Sequence, residues 1–180
     1  MNDWIDGRTL VITGGGAGIG AAIATMFAKH GGRVLQLGRS PLALPEVRNW
    51  TVDLSNATAL DAVLGEIDEL GGAIDFVVNN ASYREVAPLD VATPDIWHQT
   101  FQVNLFAPME ICRRMCGRMS SGGGVVNISS GAARHLSPGT AAYAASQSAI
   151  EATTVVLAKE LASRGIRVNT VAPGPRPTSG

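Results

Sequence analysis

Histidine and cysteine are scarce in this chain of 180 residues, and their scarcity removes whole classes of chemistry. The three histidines, His30, His98 and His135, have no ligand spacing, so no metal site is expected. No motif sets a histidine base beside a serine, which argues against a serine hydrolase. The two cysteines, Cys112 and Cys116, stand four residues apart. On one helix they would share a side yet be poorly placed to bond, and they read as free thiols of a reducing cytoplasm. Charge of one sign is also lacking: 14 basic and 15 acidic residues leave a net charge of −1, with no pull on nucleic acid or an acidic membrane surface. The acidic start and short apolar run of MNDWIDGRTLVITGGG fit neither a signal peptide nor a spanning helix. Like-charge runs, low-complexity segments and internal repeats are missing as well.

What remains is a chain that is 46% hydrophobic and holds 21 glycines, which suits one compact domain over residues 1–180. Strand and helix signals alternate along it. RTLVIT (8–13), RVLQLG (33–38), NWTVD (49–53), DFVVNN (75–80), GVVNISS (124–130) and IRVNTVA (166–172) read as strands. Between them, Ile19, Ile23, Met26 and Phe27 are spaced for one helical face, as are Leu60, Val63, Leu64, Ile67 and Leu70 behind an Asn56 cap. Longer helical stretches cover roughly 94–119 and 143–163. Such alternation predicts a Rossmann-type α/β/α sandwich of three layers, with a parallel sheet of order 3-2-1-4-5-6. In the stretch MEICRRMCGRM the three arginines read as a solvated face.

The stretch VITGGGAGIG joins the first strand to the first helix. Glycine there permits a sharp turn and close approach of a pyrophosphate, while the helix start offers unpaired N–H groups. Gly14, Gly18 and Gly20 have the spacing T-G-x-x-x-G-x-G; a shorter fingerprint, Gly16-x-Gly18-x-x-Ala21, fits too, so the turn alone says little beyond a nucleotide. The second strand ends in Gly38-Arg39, with no acid before Glu46. A carboxylate there would bond a ribose 2′-hydroxyl, whereas a guanidinium pairs with a 2′-phosphate, so NADP(H) is expected ahead of NAD(H). Asp53, read as the end of the third strand, is a candidate acceptor for the adenine amino group.

Taken in order, TGGGAGIG (13–20), VDL (52–54), NNA (79–81), VNL (103–105), NISS (127–130), Tyr143 and Pro173-Gly174 resemble the short-chain dehydrogenase/reductase family over nearly the whole chain. That resemblance implies roles for named residues. Gly14, Gly18, Ile19 and Gly20 would line the pyrophosphate, Arg39 the 2′-phosphate, and Asp53 and Leu54 the adenine. Asn80 and Ala81 would approach the nicotinamide ribose, with Tyr143 and Gln147 beside it, and Pro173, Gly174 and Thr178 the nicotinamide. Asn104 would hold a water in a proton relay, Ser130 (with Ser129 as runner-up) would polarise the substrate, and Tyr143 would be the acid/base. Ser82 stands where the family often has glycine. A homodimer or homotetramer built on the Tyr143 helix and the helix around Cys112 is also implied, Ala144, Ala145, Ala149 and Ala152 allowing close approach.

Two departures qualify the resemblance. The family pattern is Tyr-x-x-x-Lys, and here Gln147 takes the lysine's place. A tyrosine titrates near 10 when unperturbed, and a cation one turn away biases it toward phenolate. Glutamine's dipole does far less, so alcohol oxidation should suffer more than carbonyl reduction. Lys159, twelve residues further on, is about 18 Å along the helix. The second departure is length: the family usually continues with a substrate-covering segment and a seventh strand, without which 166–172 would be an open edge. Either the sequence omits those residues, the favoured reading, or a partner chain covers the edge. Two functions are therefore expected in competition. One is an NADP(H)-dependent cytoplasmic oxidoreductase acting on a small carbonyl or alcohol; the other is a catalytically impaired nucleotide-binding module or partner subunit.

Overall fold

A computed structural model describes residues 4–174. Six strands form one parallel sheet in the order β3-β2-β1-β4-β5-β6, as expected. They are β1 (Thr9–Thr13), β2 (Arg33–Gly38), β3 (Val47–Thr51), β4 (Ile74–Asn79), β5 (Met119–Ile128) and β6 (Arg167–Val171). The helices are α1 (Gly18–Lys29), α2 (Ala57–Glu69), α3 (Pro94–Phe101), α4 (Ala107–Cys116) and α5 (Ala141–Leu161). Among the described residues no helix is long and apolar enough to cross a membrane.

Alternate residues of the central strands feed opposite faces. Leu10, Ile12, Val34 and Val78 join α1 residues in one apolar cluster, while Val11, Val77 and Val125 join α2 and α4 in the other. Helix α1 meets the sheet through Gly20, Ala24, Phe27 and Ala28. The expected stripe is thus only partly right: Phe27 is buried, Ile19 and Ile23 lie half-buried, and Met26 is exposed. Small residues let this helix lie close to the strands, which pushes the larger ones to its flanks. In α2, Leu60, Leu64 and Ile67 are buried as expected, each stabilising the fold by about 1.5–3 kcal/mol, and Asn56 caps the helix by accepting from the Ala59 N–H. Leu70, at the end of that expected stripe, is instead exposed, because the helix has already ended.

Three boundaries differ from expectation. Strand β3 begins and ends two residues early, so Asp53 lies beyond it in a turn. The helical stretch of 94–119 is three pieces, α3, a π-helical turn at Gln102–Phe106, and α4, which stops at Cys116. Strand β5 then starts at Met119, and a bulge opens where Ile74 pairs with Met119 but Phe76 pairs with Gly124. Gly122, at φ 90°, sits in that bulge and gives the sequence its turn-like appearance.

The two arginines of α4, and Arg118 just after it, are not simply solvated. Arg113 pairs with Glu110 at 2.5 Å, and Arg114 reaches Asp61 and Asp68. Arg118 donates to the carbonyls of Ile67, Gly71 and Gly72 and pairs with Asp68, which satisfies the orphan acceptors at the end of α2. The cysteines are free and buried. A hydrogen bond with Cys116, and then burial, pushes the Cys112 thiol up, away from the thiolate.

Candidate active site

The carboxyl ends of β1 to β4 frame a cleft of about 360 Å³, the place where open parallel sheets bind ligands. Gly14, Gly16 and Ala17 form its glycine wall, Gly38, Arg39 and Ser40 follow β2, Asp53 and Leu54 follow β3, and Asn80, Ala81, Ser82 and Tyr83 follow β4. Gly14 at φ 65° and Gly18 at φ 55° are left-handed, a conformation that glycine adopts without strain. A Cβ on Gly20 would overlap the Gly14 carbonyl and the Asn80 amide, and one on Gly16 would overlap the Ser40 carbonyl.

Side chains brace this wall from behind. Asn80 Nδ2 donates to the carbonyls of Thr13 and Gly14, both at 3.1 Å. The Thr13 hydroxyl accepts from the N–H groups of Asn80 and Ala81, each at 3.0 Å. Buried Gln36 donates to the Ser40 carbonyl at 3.2 Å and so fixes the loop that carries Arg39. Asp53 accepts from the Ser55 N–H at 2.9 Å; bonds from the Ser55 backbone and hydroxyl, and the nearby Arg39 charge, hold its carboxyl below the usual range. We expect Gly20→Ala to force backbone apart at a cost of about 1–3 kcal/mol, lowering the thermal midpoint by roughly 2–12 °C and abolishing nucleotide binding. An unchanged midpoint in scanning calorimetry, with affinity retained, would count against a rigid turn.

Ser130, Tyr143 and Gln147 do not line that cleft; they stand beside it on the β5 and α5 side. Asn104 links the two halves. Its Oδ1 accepts from the Tyr83 N–H at 2.8 Å, and its Nδ2 donates to the Tyr83 carbonyl at 2.9 Å and the Ser146 hydroxyl at 3.0 Å. Ser146 in turn donates to the Tyr143 carbonyl at 2.8 Å. The Asn104 carboxamide is thus engaged within the protein.

The two serines differ in what they have to offer. Ser129 is buried and donates to Glu151 at 2.7 Å, while Glu151 pairs with Arg134. Ser130 is half-buried and only accepts, from the Ala132 N–H at 3.2 Å, which leaves its hydroxyl hydrogen available. Tyr143 is half-buried in the first turn of α5, and the Arg84 guanidinium lies 5.8 Å from its ring centroid. Gln147 is 2% exposed, and its Oε1 has no hydrogen-bond partner among the described residues. Pro173 and Gly174 follow β6, with the Pro173 carbonyl beside Gly131; Thr178 lies outside the described residues. Ser40, Tyr83 and Arg84 escaped the sequence reading because they sit in irregular loops, where neither periodicity nor motif marks a residue.

Comparison with known proteins agrees with this layout. The model of the short chain dehydrogenase family matches residues 8–179. D-threitol dehydrogenase of Mycolicibacterium smegmatis is 32% identical, over 94% of this chain and 70% of its own length. Galactitol 2-dehydrogenase of Agrobacterium fabrum is 31% identical, over 94% of this chain and 71% of its own. Among solved structures, 4-hydroxyisoleucine dehydrogenase complexed with NADH and succinate superposes with a TM-score of 0.85 at 30% identity, covering 92% of this chain and 78% of that one.

Proposed function

Since this chain belongs to the short chain dehydrogenase family, we propose that it is an NADP(H)-dependent oxidoreductase interconverting a small alcohol and its carbonyl compound. The observation that carries this reading is the pairing of a glycine-walled cleft with an adjacent serine and phenol, Ser130 and Tyr143. The residues fit a dinucleotide. Gly14, Gly18, Ile19 and Gly20 would hold the pyrophosphate, Arg39 the 2′-phosphate, and Asp53 and Leu54 the adenine. The unpartnered Gln147 Oε1 is an acceptor for a ribose hydroxyl, beside Asn80, Ala81 and Tyr143. Pro173 and Gly174 would border the nicotinamide end.

When bound, the coenzyme would supply the hydride in reduction or accept it in oxidation. Ser130 donates its hydroxyl hydrogen to the substrate oxygen and holds it toward Tyr143. In reduction the Tyr143 hydroxyl gives its proton to that oxygen; in oxidation the phenolate takes the proton from the alcohol. Asn104 acts through its hold on the Tyr83 segment and Ser146, a positioning role. The chain works as one domain and as a homo-oligomer through α4 and α5, whose outer positions Val155 and Val156, with nearby Phe106, are exposed.

The named relatives make four- and six-carbon sugar alcohols and their ketoses the first substrates to assay, with NADP⁺ and NADPH. Coenzyme turnover above a Tyr143→Phe control supports the reading; coenzyme binding without any such turnover favours the alternative of a non-catalytic module, which Gln147 motivates. Arg39→Ala should weaken NADP(H) about 10- to 100-fold, the value of a charged hydrogen-bonded contact, while NAD(H) binding stays level. A parent protein that binds NAD(H) more tightly in a calorimetric titration would reverse the coenzyme assignment.

A further inference from the structure

We propose that Arg84 supplies to Tyr143 the positive charge that Gln147 does not, making it a positioning residue that favours the phenolate. The inference rests on the acid/base reading of Tyr143 above. Arg84 follows Tyr83 in the loop after β4, and its guanidinium lies over the Tyr143 ring, 5.8 Å from the centroid. At that separation a cation is attracted to the ring face, and it is attracted more strongly when the ring carries the phenolate charge. The loop that carries it is held in place: the Asn104 carboxamide grips both the N–H and the carbonyl of Tyr83, the residue immediately before Arg84, while the Arg84 side chain itself is exposed.

Other charged groups near α5 are engaged or distant in role. Glu85 accepts from the Tyr83 hydroxyl, and Glu151 is shared by Ser129 and Arg134. Asp95 and His98 belong to α3, His135 follows the short turn after Ser130, and Lys159 and Glu160 lie near the far end of α5. Arg84 takes part in none of the ion pairs among the described residues, and it is the cation found over this ring. A guanidinium also remains charged at any pH where a phenol titrates, so the support is constant across the working range.

The chain has two tyrosines, Tyr83 and Tyr143, which permits a direct test without substrate or coenzyme. In a Tyr83→Phe, Glu85→Gln background, the second phenol and the carboxylate it engages are gone. Ultraviolet absorption of tyrosinate then follows Tyr143 alone. Adding Arg84→Met should move its titration midpoint upward by about half to one pH unit, the range for a unit charge at this distance in a water-rich setting. Arg84→Lys should stay close to the parent, and the displacement caused by Arg84→Met should shrink in a Gln147→Lys background, where a second cation takes over.

No displacement, or equal displacement by Met and Lys, overturns the proposal. Circular dichroism of each variant checks that the fold is intact, and Arg84→Gln provides a second neutral replacement. The outcomes separate the two readings. A displaced midpoint without any Tyr143-dependent turnover keeps the charge assignment and rejects the enzyme; Tyr143-dependent turnover with an unmoved midpoint does the reverse.

Discussion

Tyr143→Phe should reduce turnover about 10²- to 10⁴-fold, the contribution of a positioned general acid or base. The substitution removes one hydroxyl from a half-buried ring in the first turn of α5 and leaves the packing of the neighbouring Ala142, Ala144 and Ser146 intact. Coenzyme affinity, followed by tryptophan fluorescence, should fall by no more than about tenfold, the worth of a single hydrogen bond. The loss therefore belongs in kcat rather than in coenzyme binding. Ser130→Ala provides the comparison: it keeps the phenol and removes only the orienting donor. Equal turnover in parent and Tyr143→Phe would end the acid/base assignment, whatever the coenzyme does.

Gln147→Lys is the second large effect, and it should run in the opposite direction. A cation one helical turn from the phenol, within about 4–6 Å, shifts such a group by roughly one to three pH units toward its charged form. Each unit multiplies the phenolate fraction about tenfold until the midpoint nears neutral pH, so alcohol oxidation should rise roughly 10- to 500-fold. Carbonyl reduction uses the neutral phenol and should gain much less. The gain has an opposing term, because position 147 is 2% exposed and a buried ammonium is costly without partners. A lower thermal midpoint in the absence of coenzyme, partly restored by NADP(H), should accompany it. Initial rates in both directions, measured on folded protein, decide the matter; an unchanged oxidation rate would mean that position 147 has no electrostatic hold on Tyr143.

The architecture was readable because its signals are local and repeated. Apolar runs such as 8–13 and 33–38 lie close to β1 and β2, and the glycines at 14, 18 and 20 stand where the turn needs them. The failures came where tertiary packing outweighs periodicity. In α1 the close approach of Gly20, Ala24 and Ala28 displaced Met26 to solvent, although its spacing suits a buried face. The π-helical turn at Gln102–Phe106 carries no compositional mark, yet it buries Asn104 at the junction of the site. Arg114 and Arg118 resembled a solvated stripe, but α2 lies beside them and offers the Asp61 and Asp68 carboxylates to the first and its terminal carbonyls to the second. Arg84 illustrates the remaining gap: a lone loop arginine acquires meaning only once a distant helix brings Tyr143 beneath it.

The grip of Asn104 on Tyr83 and Ser146 has a consequence for how this protein can diversify. One carboxamide spends its donors and its acceptor on a loop and a helix at once, so neither can drift without releasing the other. Insertions and deletions between Ala81 and Arg84 would unseat that junction, whereas the outer stretch with exposed Val86, Leu89 and Val91 is at liberty to change length and character. New substrate preferences should therefore be engineered in that rim, with the stem behind it left untouched.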